Sequence, residues 1–225
     1  MKKSIGIGLI GAGYWGVNLI RNFNKLGVLK LISDNDVEKK KVVREIAPNV
    51  PFTIAYKTIL KDKRIDAVVI STPAKSHFKI VKEALLSDKH VFVEKPLCLK
   101  YDDGKKLQKL ANKRKLKLMV GHLLLYHPAY QKLRAEIQKG IIGQVRYIYS
   151  NRLSLGKLRK EEDVLWSFAP HDISMILNLV NEKNTFGRHC DDIDVYFWQA
   201  QGKTKWIFDD ECFEMEPGDL MYIPK

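Results

Sequence analysis

Gly11, Gly13 and Gly16 follow directly on an apolar, β-branched run and open an amphipathic stretch, in the order Gly-Ala-Gly-Tyr-Trp-Gly. Glycines so spaced permit a tight turn, bring backbone N–H groups up to a pyrophosphate and let a helix pack closely, while the helix N-terminus adds partial positive charge. Tyr14 and Trp15 belong to the same cradle. Asp34 stands 23 residues beyond Gly11, at the end of the next apolar run. A carboxylate there accepts hydrogen bonds from adenosine ribose hydroxyls and repels a 2′-phosphate, which favours NAD over NADP. The plain alternative is a glycine turn beside a helix-capping aspartate.

A second group lies in Val-Phe-Val-Glu-Lys-Pro-Leu, where Glu94 and Lys95 end an apolar run. Strand C-termini are where ligands bind in open parallel sheets. A lysine between a nicotinamide and a substrate hydroxyl lowers the hydroxyl's pKa, or acts as the base if burial depresses its own. A surface Lys-Pro turn is the competing explanation.

The elements that must position these groups alternate short apolar runs with longer amphipathic ones, the pattern of βαβ units and a parallel sheet. Strands are expected over 4–10, 29–33, near 53, over 67–71, 90–93 and 116–120. Helices are expected over 14–26, 37–46, 56–61, 77–87 and 102–115. The fold class is therefore α/β, a Rossmann-type doubly wound parallel sheet. The dinucleotide-binding domain spans residues 1–121.

The chain has 225 residues and a formal charge of +13. Residues 1–181 carry +18 and residues 182–225 carry −5, so the sign changes in the last fifth. The excess is Lys-rich and spread over periodic helices, as in 81–89 and 104–117. A solvated surface explains it, and so does a field that attracts an anionic small molecule. No paired Cys/His finger, RNA-binding aromatic motif or basic repeat supports nucleic acid as a partner. Three scattered cysteines, Cys98, Cys190 and Cys212, favour a reducing compartment. No apolar run approaches the roughly 18 residues of a membrane span. A cytoplasmic protein with no membrane partner is expected.

Four pieces in order, GLIGAGYWG, ISTPAKSH at 70–77, VFVEKPL, and the strand running into GHLLLYHPAY at 121–130, resemble the Gfo/Idh/MocA family of nicotinamide-dependent sugar oxidoreductases. The resemblance continues through GQVRYIYSNRLSLGKLR and LWSFAPHDISMIL, covering about residues 4–180. These later stretches are most similar to the branch that oxidises UDP-linked N-acetylhexosaminuronic acids at C3 in bacterial surface-polysaccharide pathways.

That resemblance implies roles for particular residues. Gly11, Gly13 and Gly16 would hold the pyrophosphate of NAD and Asp34 its adenosine ribose. Ser71, Thr72 and His77 would line the cofactor. Glu94 and Lys95 would sit at the nicotinamide end, Lys95 as the catalytic lysine. His171, at the start of a helix, would be a second acid/base, and Asn151 and Arg152 would contact a uronate or phosphate of the substrate. His122 and His127, beside a Gly and a Pro, are expected to cap rather than catalyse. The partner is a small-molecule nucleotide sugar, and a homo-oligomer is left open. The family's second domain would begin with a strand over 144–150 and a helix over 171–180, then stop, leaving a truncated α+β domain at 122–181.

Residues 182–225 differ. Alternation over 195–199 and 204–208 around Gln201-Gly202 predicts a β-hairpin, and Pro217-Gly218-Asp219 a turn into a final strand. This short C-terminal β segment resembles part of a JmjC-like cupin barrel of the 2-oxoglutarate oxygenases. His189 and Asp191 match that family's HxD pair, two of three ligands of an Fe(II) site. The third would follow Lys225, so no metal centre is expected.

Overall fold

The computed structural model describes residues 5–143, 145, 147–151, 164–179, 195–198, 203–208, 211–216 and 219–223. They form two compact units: residues 1–143 with 149–181, and residues 144–148 with 182–225.

The first unit is built on six strands: β1 (Ile7–Ile10), β2 (Leu29–Ser33), β3 (Phe52–Thr53), β4 (Ala67–Ile70), β5 (His90–Val93) and β6 (Leu118–Val120). All neighbours are parallel and the order is β3-β2-β1-β4-β5-β6. This is the doubly wound nucleotide-binding order, in which the chain leaves β1 toward one edge and returns at β4 toward the other. Helices α1 (Gly16–Lys25), α2 (Lys39–Ile46), α3 (Lys57–Lys61), α4 (Ala74–Leu86) and α5 (Tyr101–Lys113) make the crossovers.

Because helices cover both faces, the strands are apolar on both sides rather than alternating. Val68 and Ile70 of β4 pack with Ile80, Val81, Leu85 and Leu107 from α4 and α5. The intervening Val69 packs on the opposite face with Leu9, Ile20 and Val43, the last two from α1 and α2. Lys89 departs from the solvated-lysine expectation. It is buried, and its Nζ donates to the carbonyls of Asp62 and Ile65 at 2.9 and 2.6 Å, capping the turn that follows α3.

Beyond β6 come a 3-10 turn at Leu123–Tyr126, α6 (Pro128–Gln138) and α7 (Val164–Leu179). His127 caps α6: its ring Nδ1 accepts the Ala129 N–H at 3.2 Å, with Pro128 in the first turn. His122 precedes the 3-10 turn without a side-chain capping bond, so the expected cap fails there. Two further expectations are corrected. Residues 145 and 147–150 have no strand assignment. Among the described residues no strand pairs with them, and an extended segment without a partner has no ladder to join. Helix α7 begins at Val164, so Pro170 lies inside it and His171 sits mid-helix rather than at its start.

In the second unit β7 (Val195–Trp198) pairs with β10 (Leu220–Ile223), and β8 (Thr204–Phe208) pairs with β9 (Glu211–Met215), both antiparallel. The hairpin expected between β7 and β8 is therefore not formed. Only two residues separate β8 from β9, with Phe208 opposite Glu211, and that short closure wins over the five-residue link to β7. Before β10 the Asp219 N–H donates to the Glu216 carbonyl at 3.0 Å, and Asp219 Oδ2 accepts the Glu216 N–H at 2.7 Å, closing the expected turn.

Candidate functional site

The C-terminal ends of β1, β2, β4, β5 and β6 gather most of the residues singled out in the sequence. Gly11 has φ +100°, and a Cβ there would lie 2.7 Å from the Ser71 carbonyl carbon. A Cβ on Gly16 would lie 2.0 Å from the Gly11 oxygen. These two glycines are required by the turn itself. Gly13 differs: a Cβ would meet nothing within 4 Å, so the space over its backbone is open. An open, glycine-walled cradle at the start of α1 fits a pyrophosphate. Tyr14 beside it is 94% exposed.

Asp34 fastens this turn. Its Oδ2 accepts the Ala12 N–H at 2.6 Å and its Oδ1 the Asp36 N–H at 2.9 Å. A carboxylate has about four acceptor directions, so ribose hydroxyls still find lone pairs there. Ser71 ties the end of β4 to the same turn, its Oγ donating to the Gly11 carbonyl at 2.7 Å. The Thr72 and Ser76 hydroxyls share a 2.7 Å hydrogen bond across the first turn of α4.

His77 is held between two turns. It is 1% exposed, with Nδ1 2.6 Å from the Pro96 carbonyl and Nε2 2.7 Å from the Thr72 carbonyl. The tautomer decides which of the two carbonyls receives the ring N–H. The ring is a strut between the turn after β4 and the Lys95-Pro96 turn after β5. The ring nitrogens expected to line the cofactor face these two carbonyls.

Glu94 follows β5 and is half-buried; burial pushes its carboxyl above the ordinary glutamate value, opposed by the hydrogen bond from Trp15 and by Lys95. Trp15 Nε1 donates to Glu94 Oε1 at 2.7 Å. Lys95 follows, half-buried at the same edge. His122, just past β6, has a buried Nδ1 without a hydrogen-bond partner among the described residues, and burial pulls its pKa down. His171 is half-buried in α7, which packs on the 3-10 turn beginning at Leu123. Ser150 Oγ donates to Asp172 Oδ1 at 3.0 Å, so the exposed Asn151 lies one residue from a contact with the neighbour of His171. Arg152, His189 and Asp191 lie outside the described residues. Among the described residues no group of three or more His, Cys, Asp or Glu is placed to hold a metal ion, and no helix is long and apolar enough to cross a membrane.

The family model described as an oxidoreductase family with an NAD-binding Rossmann fold matches residues 5–122, more than half of the chain. The chain belongs to the Gfo/Idh/MocA family. Its glycine-rich turn, Asp34 and the Glu94-Lys95 turn all fall within the match. A second model, the JmjC domain, matches residues 155–216, which supports the cupin-like resemblance and extends it upstream of residue 182. UDP-N-acetylglucosamine 3-dehydrogenase of Acidithiobacillus ferrooxidans is 31% identical over 178 residues, covering 76% of this chain and 53% of that protein. 2,7-Anhydro-N-acetylneuraminate hydratase of Escherichia coli is 29% identical, covering 72% of this chain and 43% of that protein. The chain thus spans about half the length of these curated relatives. Among solved structures, a 3-ketoreductase from Actinomadura kijaniata in complex with TDP-benzene and NADP aligns with a TM-score of 0.58 at 25% identity, covering 64% of this chain and 46% of that one. Scyllo-inositol dehydrogenase from Lactobacillus casei with bound NAD(H) and scyllo-inositol aligns at 0.65, with 20% identity over 79% of this chain and 56% of that one, and shows the fold alone. Both NAD and NADP thus occur among proteins of this fold.

Proposed function

We propose that this Gfo/Idh/MocA chain is an NAD-dependent oxidoreductase that moves a hydride between a hydroxyl-bearing carbon of a nucleotide sugar, of the UDP-N-acetylhexosaminuronate type, and the nicotinamide. The observation that carries the reading is the open cradle over Gly13 beside Asp34, with Glu94 and Lys95 at the same sheet edge. Gly11, Gly13, Gly16 and the Tyr14-Trp15 backbone would hold the pyrophosphate, with Ser71 and Thr72 bordering it. Asp34, with Asp36 close behind, disfavours the extra charge of a 2′-phosphate, which supports NAD over NADP.

The nicotinamide supplies the hydride acceptor when bound. Lys95 takes the hydroxyl proton, and His171 is the second acid/base group. Asn151 and Arg152 hold the sugar, Arg152 through the two-pronged pairing a guanidinium makes with a carboxylate or phosphate. We divide the chain into a dinucleotide-binding domain at 1–121, a shortened α+β domain at 122–181 and a cupin-like segment at 182–225, in a cytoplasmic protein.

Turnover tests this reading. With NAD and UDP-N-acetylhexosaminuronates the chain is expected to form NADH, and Lys95→Met to lower kcat by about 100-fold or more while NADH still binds. NADH binding without turnover of any such sugar would favour a second reading, a non-catalytic nucleotide-binding protein.

A further inference from the structure

Trp15 is the last residue before α1, between Gly13 and Gly16, and it is 39% exposed. Its hydrogen bond to Glu94 joins residues 79 positions apart. In the sheet β4 stands between β1 and β5, so the indole reaches from the glycine-rich turn past the end of β4 to the end of β5. That line crosses the edge at which doubly wound sheets bind dinucleotides.

The far end of this bridge is fixed. The Glu94 N–H donates to the Ile70 carbonyl at 2.9 Å, holding its backbone to the end of β4. Its carboxyl fills the space that Gly121 leaves at the end of β6: a Cβ there would lie 3.1 Å from Glu94 Oε1 and 3.2 Å from its Cδ. The Gly121 N–H in turn donates to the Val93 carbonyl at 2.8 Å. An indole N–H can only donate, so the contact requires an acceptor oxygen on Glu94 and orients that oxygen toward the glycine-rich turn.

We propose that Trp15 is a positioning residue: by holding the Glu94 carboxyl against Gly121, its indole N–H presents that carboxyl as a fixed acceptor for the nicotinamide-side half of a dinucleotide. The inference rests on the nucleotide-binding reading above and adds a residue whose side chain acts through another. Its signature is selective. The adenosine diphosphate half is held by backbone and Asp34, so loss of the indole N–H leaves that half alone.

The test compares NADH with ADP, which lacks the nicotinamide side, on the whole chain and on Trp15→Phe, Glu94→Ala and the double variant. Trp15→Phe keeps an aromatic ring and loses only the N–H. It is expected to weaken NADH about tenfold, the scale of one hydrogen bond to a charged group, and ADP by less than about twofold. The double variant is expected to bind NADH like Glu94→Ala alone, because the indole acts through that carboxyl. Equal weakening of NADH and ADP, no weakening of either, or additive effects in the double variant would overturn the positioning role. If the unmodified chain binds neither ligand, the nucleotide-binding reading itself falls and the inference falls with it.

Discussion

Asp34 Oδ2 accepts the Ala12 N–H at 2.6 Å, so the acid that follows β2 is fastened to the glycine-rich turn that follows β1. One carboxylate therefore shapes the turn and, in the proposed function, stands beside the adenosine ribose. Asp34→Asn separates these roles, because an amide oxygen still accepts the Ala12 N–H while the charge and the exposed bond from the Asp36 N–H are gone. The variant is expected to fold normally and to narrow the preference for NAD over NADP by about tenfold, on the scale of one charge-assisted contact. Titration of NADH and NADPH against both proteins checks this, and an unchanged ratio would count against the specificity role.

Gly13 and Gly16 make opposite predictions. Gly16→Ala places a Cβ 2.0 Å from the Gly11 oxygen, a backbone clash with no flexible side chain to yield, and should cost roughly 2–3 kcal/mol of stability. Gly13→Ala meets nothing within 4 Å and should leave the melting temperature nearly unchanged while weakening NADH by about tenfold or more. Thermal melts with nucleotide titrations distinguish the two. A Gly13→Ala protein that binds NADH normally would show that the open space is not the pyrophosphate cradle.

His77→Ala removes the ring between the Pro96 and Thr72 carbonyls, leaving a cavity and a carbonyl acceptor without its donor. A loss of about 3 kcal/mol or more is expected in urea unfolding. A loss below about 1 kcal/mol would mean that the strut is replaceable.

Glu94 sets a pH dependence with a definite sign. Burial raises its folded-state pKa above the ordinary value, so the folded chain holds this proton more tightly than the unfolded one. The associated stability is present at low pH and is lost as pH rises from the ordinary glutamate range through the raised value. Glu94→Gln removes that titration. Unfolding free energies of the two proteins should therefore separate over this window, the unmodified chain losing stability relative to the variant. Parallel profiles would contradict the burial argument.

The Rossmann half was legible because its signals are local. The run 67–71 could only be a buried strand, and β2 and β5 fall on the expected residues because turns flank them closely. Glycine spacing and the position of Asp34 mark the turn that the Ala12–Asp34 hydrogen bond closes. The links that finish the site were not legible. Trp15 with Glu94 and His77 with Pro96 join residues far apart in sequence, and neither pair leaves a periodic trace. His171 was misplaced relative to its helix because Pro170 resembles a helix start, whereas the apolar Leu165-Trp166 stretch already carries the first turn. Alternation marks β7 and β8 and the Pro217-Gly218-Asp219 turn marks β10, whereas β9 and the pairing of the strands leave no such sign. Alternation identifies a strand, and loop length decided that β8 would pair with β9.

The most direct test of the account is a fluorescence titration of NADH against the unmodified chain and Asp34→Ala. The account predicts saturable binding by the first and binding weakened by about 100-fold in the second, where both the turn's fastening and the ribose acceptor are lost. Absence of saturable binding by the unmodified chain, or equal binding by the two proteins, would contradict it.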